Sequence, residues 1–361
     1  MEISKMENEY ERFLKIYKKN KREIILYGAG AGADWAIGLL QKNNLKPSAI
    51  VDKSTTGLKK GINILNYEQF IDIYMNKEVY IIVASPRYED EIIAKLCENF
   101  NEEDIFSFEC ELYYHYIESL EEYRLYLREN EESLAKFCDM LEDDFSKKTF
   151  ENVLKGRISG QLKYFKEVYV DDQYFPDDII TLDKEDVFVD VGAYVGDTVE
   201  QIVDKCKGKY KKIYCFEPDD NVRDLLIGNT SKYDNIEIIN KGAWNQKETL
   251  YFQEDSNHGA SSISNQGENL IELERIDKCI TEDVRITHIK MDIEGAELNA
   301  LKGADSIIKK DRPQLAICVY HKIDDFLKIS EYLLSIMPEY KLYLRHHNIS
   351  GTETVLYAIK R

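Results

Sequence analysis

Two acids near a glycine turn, and a second group of acids with one histidine, have the types and spacing for chemistry rather than packing. In Val187-Phe-Val-Asp-Val-Gly-Ala-Tyr-Val-Gly-Asp-Thr198 an apolar run breaks at Gly192 and Gly196. It then passes into the helical spacing of Val199, Ile202 and Val203. Glycines at such a strand–turn–helix junction let a ligand approach the backbone, and the free N–H groups of the helix start favour an anionic group. Asp190, just before the first glycine, is placed to face a cationic ligand group. Glu217 ends the next apolar run, Ile213-Tyr-Cys-Phe-Glu-Pro218, where an acid accepts hydrogen bonds from ribose hydroxyls. Further on, Asp292 and Glu294 follow the run Ile286-Thr-His-Ile-Lys-Met-Asp292, and His321 ends Gln314-Leu-Ala-Ile-Cys-Val-Tyr-His321. A histidine titrating near neutrality beside carboxylates suits removal of a proton from a weak nucleophile.

These groups must be held by strands that end on one rim. In the C-terminal half the runs near 187, 213, 236, 286 and 314 alternate with helical patterns, as in a doubly wound parallel sheet. The last two runs, Lys341–Arg345 and Glu353–Ile359, have only a short connection, which predicts an antiparallel pair. The N-terminal half repeats the design on a smaller scale. Glu23-Ile-Ile-Leu-Tyr-Gly-Ala-Gly-Ala-Gly32 gives a strand and a turn at Gly28, Gly30 and Gly32, and Asp52 ends the next strand. That turn can hold a nucleotide or survive as scaffold without a ligand. Between the halves, acidic helical patterns with Ile117, Leu120, Leu127, Leu134, Phe137 and Leu141 read as a connector, and Gly160 as a helix cap. The expected organisation is therefore a Rossmann-like domain at 1–110, a helical connector at 111–170 and a second doubly wound domain at 171–361.

Composition excludes some partners. A formal charge of −19 with a pI near 4.9 argues against nucleic acid and anionic membrane surfaces, which need basic patches. No signal peptide or spanning segment is legible, so a cytoplasmic protein is expected. Seven dispersed cysteines read as reduced thiols in cores.

The elements Asp190-Val-Gly-Ala-Tyr-Val-Gly-Asp-Thr198, Phe216-Glu-Pro218, Lys290-Met-Asp-Ile-Glu-Gly-Ala-Glu297 and Glu353-Thr-Val-Leu-Tyr357 together resemble the FkbM family of S-adenosylmethionine-dependent methyltransferases over about residues 171–361. The resemblance implies a class I methyltransferase fold, with one antiparallel strand in an otherwise parallel sheet. It also implies O-methylation of a hydroxyl on a sugar, a surface-polysaccharide precursor or a secondary metabolite. S-adenosylmethionine is the implied cofactor. Its expected contacts are Gln173, Tyr174, Asp190, Gly192, Ala193, Tyr194, Gly196, Asp197, Thr198, Glu217, Pro218, Gly242, Ala243 and Asp292. On the acceptor side stand His321 as preferred base, Asp292 and Glu294, with His346 and His347 as further acceptor contacts. The N-terminal half is similar to small Rossmann-like domains attached to enzymes of surface-polysaccharide biosynthesis.

Each assignment has a plainer counterpart. His321 equally suits a structural hydrogen bond, and Asp292, Glu294 and Glu297 suit a capped helix start or an ion pair with Lys290. The three carboxylates could hold Mg2+, but no fixed ligand spacing demands a metal, and none is expected. The polar stretch Asn257–Ser262 suits substrate contacts or a solvated loop. A rival class is an NAD-dependent oxidoreductase or sugar-nucleotide-binding protein using the Gly28–Gly32 turn. A small-molecule or carbohydrate acceptor is the expected partner, and a homo-oligomer is compatible with the sequence.

Overall fold

The computed structural model describes residues 2–254, 261–264 and 269–360, with backbone alone over 252–269. The stretch Asn257–Ser262 thus falls largely outside the described residues, and its side chains wholly so. The chain folds as two compact units, one of residues 1–134, 148–169 and 346–352, the other of 135–147, 170–345 and 353–361.

In the first unit, β1 (Glu23–Tyr27), β2 (Ala49–Val51), β3 (Gly57–Lys59), β4 (Ile62–Leu65), β5 (Val79–Val83) and β6 (Ile105–Phe106) form one sheet in the order β3-β4-β2-β1-β5-β6. The β3–β4 pair is antiparallel and the other pairs are parallel. Parallel strands covered by helices on both sides must be apolar on both sides, and alternate residues divide accordingly. Ile24, Leu26, Tyr80 and Ile82 enter one buried cluster, and Ile25, Val79, Ile81 and Val83 enter the other.

The second unit carries β7 (Val187–Val191), β8 (Lys212–Phe216), β9 (Ile236–Ile239), β10 (Gly242–Ala243), β11 (Glu248–Glu254), β12 (Ser261–Ser264), β13 (Asn269–Glu274), β14 (His288–Met291), β15 (Gln314–Cys318), β16 (Lys341–His346) and β17 (Thr354–Ile359). Seven of these make a sheet in the order β16-β17-β15-β14-β7-β8-β9; the other four make a smaller sheet, β10-β13-β11-β12. The pairs from β15 through β14, β7 and β8 to β9 are parallel, and β17 runs antiparallel to β15. The register sets Cys318 opposite Val355, so the start of β17 lies at the rim where β14 and β15 end. This is the mixed sheet expected from the short final connection.

The helical stretch 111–170 does not stand apart as a connector. Leu112 and Tyr113 are buried in the core of the first unit, and Tyr113 donates to the Arg157 carbonyl at 2.8 Å. Residues 135–147 instead belong to the second unit, where Phe137 packs on Phe326 and Asp143 pairs with the buried Arg345. The apolar residues on these helices divide between the two units, which the sequence pattern alone does not assign. No helix among the described residues is long and apolar enough to cross a membrane.

Candidate active site

At the carboxyl rim of the large sheet lies a cavity of about 350 Å³, a size that suits a small-molecule ligand. Its walls come from the β7 turn, the ends of β8 and β14, β10, and the starts of β13 and β17. Tyr174, Tyr194, Glu294 and Glu353 all line it, and all four hold positive φ, between +46° and +68°. Non-glycine residues adopt that region at a cost, and such residues concentrate at functional sites.

The glycine turn is shaped by close approach. Gly192 has φ +80°, and a Cβ there would sit 2.1 Å from the Asp292 carbonyl oxygen. The N–H groups of Gly192 and Ala193 both donate to the Phe216 carbonyl, at 3.1 and 3.2 Å, locking the turn onto β8. Gly196, at φ +91°, opens the helix Asp197–Lys205. Glu217, 7% exposed, accepts from the Tyr194 N–H at 3.0 Å and from the Asp219 N–H at 2.9 Å. Burial pushes its carboxyl up to about 7, against those two hydrogen bonds.

Asp190 corrects an expectation. Its carboxylate does not line the cavity; it lies fully buried beneath, 3.1 Å from Lys290 Nζ. The cation it faces is therefore part of the protein. Burial raises Asp190 to about 6 against the pull of Lys290. Lys290 also donates to the Gly192 carbonyl at 2.8 Å, so its charge is spent on the turn.

Asp292 accepts from the Tyr174 hydroxyl at 2.7 Å and the Tyr320 hydroxyl at 3.3 Å, and lies 3.4 Å from His321 Nε2. Burial works to raise it, but His321 and Lys290 hold it below the usual carboxylate range. Glu294 lies 3.5 Å from His321 Nε2, and the buried Glu297 lies 3.0 Å from Nδ1. Burial alone would lower the imidazole; Glu297, then Asp292 and Glu294, push it up to about 10. At neutral pH His321 is therefore an imidazolium, and it lies behind the cavity wall rather than in it. The expected general base is already protonated.

Ten of the expected donor contacts do line the cavity: Tyr174, Gly192, Tyr194, Asp197, Thr198, Glu217, Pro218, Gly242, Ala243 and Asp292, together with Glu294 for the acceptor. Gln173, Ala193 and Gly196 support it from outside, Gln173 by donating to Glu353. His346 and His347 are not brought to the cavity and group with the first unit. His346 packs on Phe165 with its Nε2 2.8 Å from the Ser350 carbonyl, and burial lowers it to about 3. Tyr320, Glu353, Asp219 and Lys290 line the cavity without having been assigned a contact from sequence. For Tyr320 and Glu353 the available signal was position next to His321 and at the start of the antiparallel strand.

The N-terminal turn is built differently. Gly28 has φ +110°, and a Cβ on Gly32 would sit 2.4 Å from the Ala84 carbonyl oxygen, so these glycines serve packing of the helix on β5. Asp52 accepts from the backbone of Ala29, Ser54 and Thr55 at 2.8–2.9 Å. Burial opposes ionisation, but these bonds hold its carboxyl below the usual range. A cavity beside Gly32 has a volume of about 10 Å³, room for one water.

Residues 190–348 match the family model of the methyltransferase FkbM domain. Among solved structures, the chain is similar to a methyltransferase FkbM from Methylobacillus flagellatus KT, with TM-score 0.75 and 23% identity over 95% of this chain and 92% of that one. It also matches an rRNA methylase from Streptococcus thermophilus (TM-score 0.33, 17% identity, 55% and 93% covered). A third match is Aeropyrum pernix fibrillarin bound to S-adenosyl-L-methionine (TM-score 0.31, 12% identity, 50% and 70% covered). No curated protein sequence matches.

Proposed function

We propose that this chain, whose residues 190–348 match the methyltransferase FkbM family model, uses S-adenosylmethionine to methylate a hydroxyl of a carbohydrate or similar small metabolite. The observation that carries the reading is the charge of the cavity. Asp197, Glu217, Asp219, Asp292, Glu294 and Glu353 line it, and the one basic side chain among its described lining residues, Lys290, is paired with Asp190. A pyrophosphate would meet this wall at a Coulombic cost, whereas a cationic sulfur is favoured. That argues against NAD and nucleotide sugars here.

The residues present fit the cofactor. Gly192 lines the cavity with backbone drawn against the Asp292 carbonyl, and each Glu217 oxygen retains accepting capacity for ribose hydroxyls. Asp197 and Thr198 at the helix start, with Asp219, would hold the amino-acid and ribose portions. When bound, S-adenosylmethionine supplies a methyl carbon on a cationic sulfur. The protein must then align a hydroxyl with that carbon, exclude water and accept the hydroxyl proton. Asp292 and Glu294 offer acceptor oxygens for the hydroxyls of a polyol, and His321 holds both in place as a cation. The assay is methyl transfer from isotopically labelled S-adenosylmethionine to neutral sugars and to their phosphate esters. Labelled neutral sugars support the reading; a preference for phosphate esters contradicts it.

The N-terminal unit we read as scaffold, because Asp52 is committed to its own turn. Asp52→Ala should lower the unfolding temperature and leave S-adenosylhomocysteine affinity unchanged; lost affinity would point to a binding role.

A further inference from the structure

We propose that Glu353 is the general base that takes the acceptor proton. This rests on the reading of the cavity as a hydroxyl-methylating site. Glu353 lines the cavity just before β17, half-buried beside Asp292, in a left-handed backbone conformation at φ +64°. Its two oxygens are held by neutral donors, Tyr320 Oη at 3.2 Å and Gln173 Nε2. The Tyr320 hydroxyl also lies within hydrogen-bond distance of Asp292 Oδ1, so one hydroxyl links the two carboxylates.

The other groups at this end are poorer bases. Asp292 accepts the Tyr174 hydroxyl, shares the Tyr320 hydroxyl with Glu353 and stands against His321, and Glu294 also faces the imidazolium. His321 already carries its proton. The charged and titratable groups around Glu353 are Asp292, His321, Cys318, Tyr320 and Tyr174. Burial, then Asp292, raise its carboxyl to about 7, with His321 opposing. Two neighbouring carboxyls with affinities driven apart, one ionised and one poised near neutrality, are the pattern of a divided acid–base pair. In the step, the acceptor O–H bond breaks and its proton passes to a Glu353 oxygen. The acceptor oxygen forms the new bond to the methyl carbon, and the carbon–sulfur bond breaks with its electron pair left on the methyl sulfonium donor's sulfur.

The test compares the full chain with Glu353→Gln and Glu353→Asp. Folding is checked by circular dichroism, donor-site integrity by calorimetry with S-adenosylhomocysteine, and turnover with labelled S-adenosylmethionine on methyl glycosides of neutral hexoses and hexosamines between pH 5.5 and 9. Wild-type turnover should rise through pH 7. Glu353→Gln should lose about 10²–10⁴-fold of turnover together with that pH limb while binding S-adenosylhomocysteine normally, and Glu353→Asp should regain part of it. A Glu353→Gln protein within tenfold of wild type, or one that keeps the limb, overturns the assignment. Failure of the wild type to bind S-adenosylhomocysteine overturns the underlying methyltransferase reading instead, and binding without methylation of any hydroxyl probe overturns both the hydroxyl acceptor and its base.

Discussion

The Nδ1 atom of His321 lies 3.0 Å from Oε1 of Glu297, a carboxylate with no exposed surface. That contact turns the histidine from a base into a fixed cation. Glu297 also accepts from the Ile293 N–H at 2.9 Å, so it ties the turn after β14 to the segment that follows β15. One carboxylate thereby joins the turn that carries Asp292 and Glu294 to His321.

The contact has a signature in stability. A histidine is near 6.5 when unfolded and His321 is near 10 when folded. Its stabilising contribution is complete below about pH 6.5 and is lost as pH climbs through 10. The unfolding temperature of the wild type should therefore fall more steeply between pH 7 and 10 than that of His321→Gln. Parallel declines would contradict the charged state.

Lys290 and Asp190 form a buried pair under the glycine turn. Lys290→Met leaves a buried carboxyl without its partner, which should cost about 3–5 kcal/mol in chemical denaturation. Adding Asp190→Leu should recover much of that loss. A single variant as stable as wild type would show that the pair is unimportant.

Gly192→Ala places a methyl against the Asp292 carbonyl at a positive φ. Backbone strain and overpacking together should cost about 2–5 kcal/mol, or else shift the turn and weaken cofactor binding. Gly30→Ala, where a Cβ meets no atom within 4 Å, is the contrast and should be mild. Thermal unfolding of the two variants makes the comparison; equal effects would remove the argument from close approach.

Local features of the site were legible in the sequence, and long-range ones were not. Gly192 and Glu217 stand at a strand end and a glycine turn, which periodicity and residue type reveal directly. The mixed sheet followed from the short connection before β17. Asp190 was misplaced because a strand pattern does not say which face a terminal acid takes, and Lys290 on the neighbouring strand claims it. Protonation of His321 depends on Glu297, which only the turn after β14 brings near. Glu353 reaches the cavity because β17 runs backwards beside β15, so its role needs the register as well as the strand. His346 ends β16 and His347 follows it, and both group with the first unit, which their position after an apolar run does not reveal.

The central claim is that the cavity takes S-adenosylmethionine and not a dinucleotide. Calorimetric titration of the full chain with S-adenosylhomocysteine and with NAD tests it most directly, with Glu217→Ala in parallel. The account predicts one S-adenosylhomocysteine per chain, no NAD in the cavity, and a loss of roughly 2–4 kcal/mol of binding in Glu217→Ala as charge-assisted hydrogen bonds are removed. Tight NAD binding that is weakened by Glu217→Ala, without S-adenosylhomocysteine binding, would contradict it.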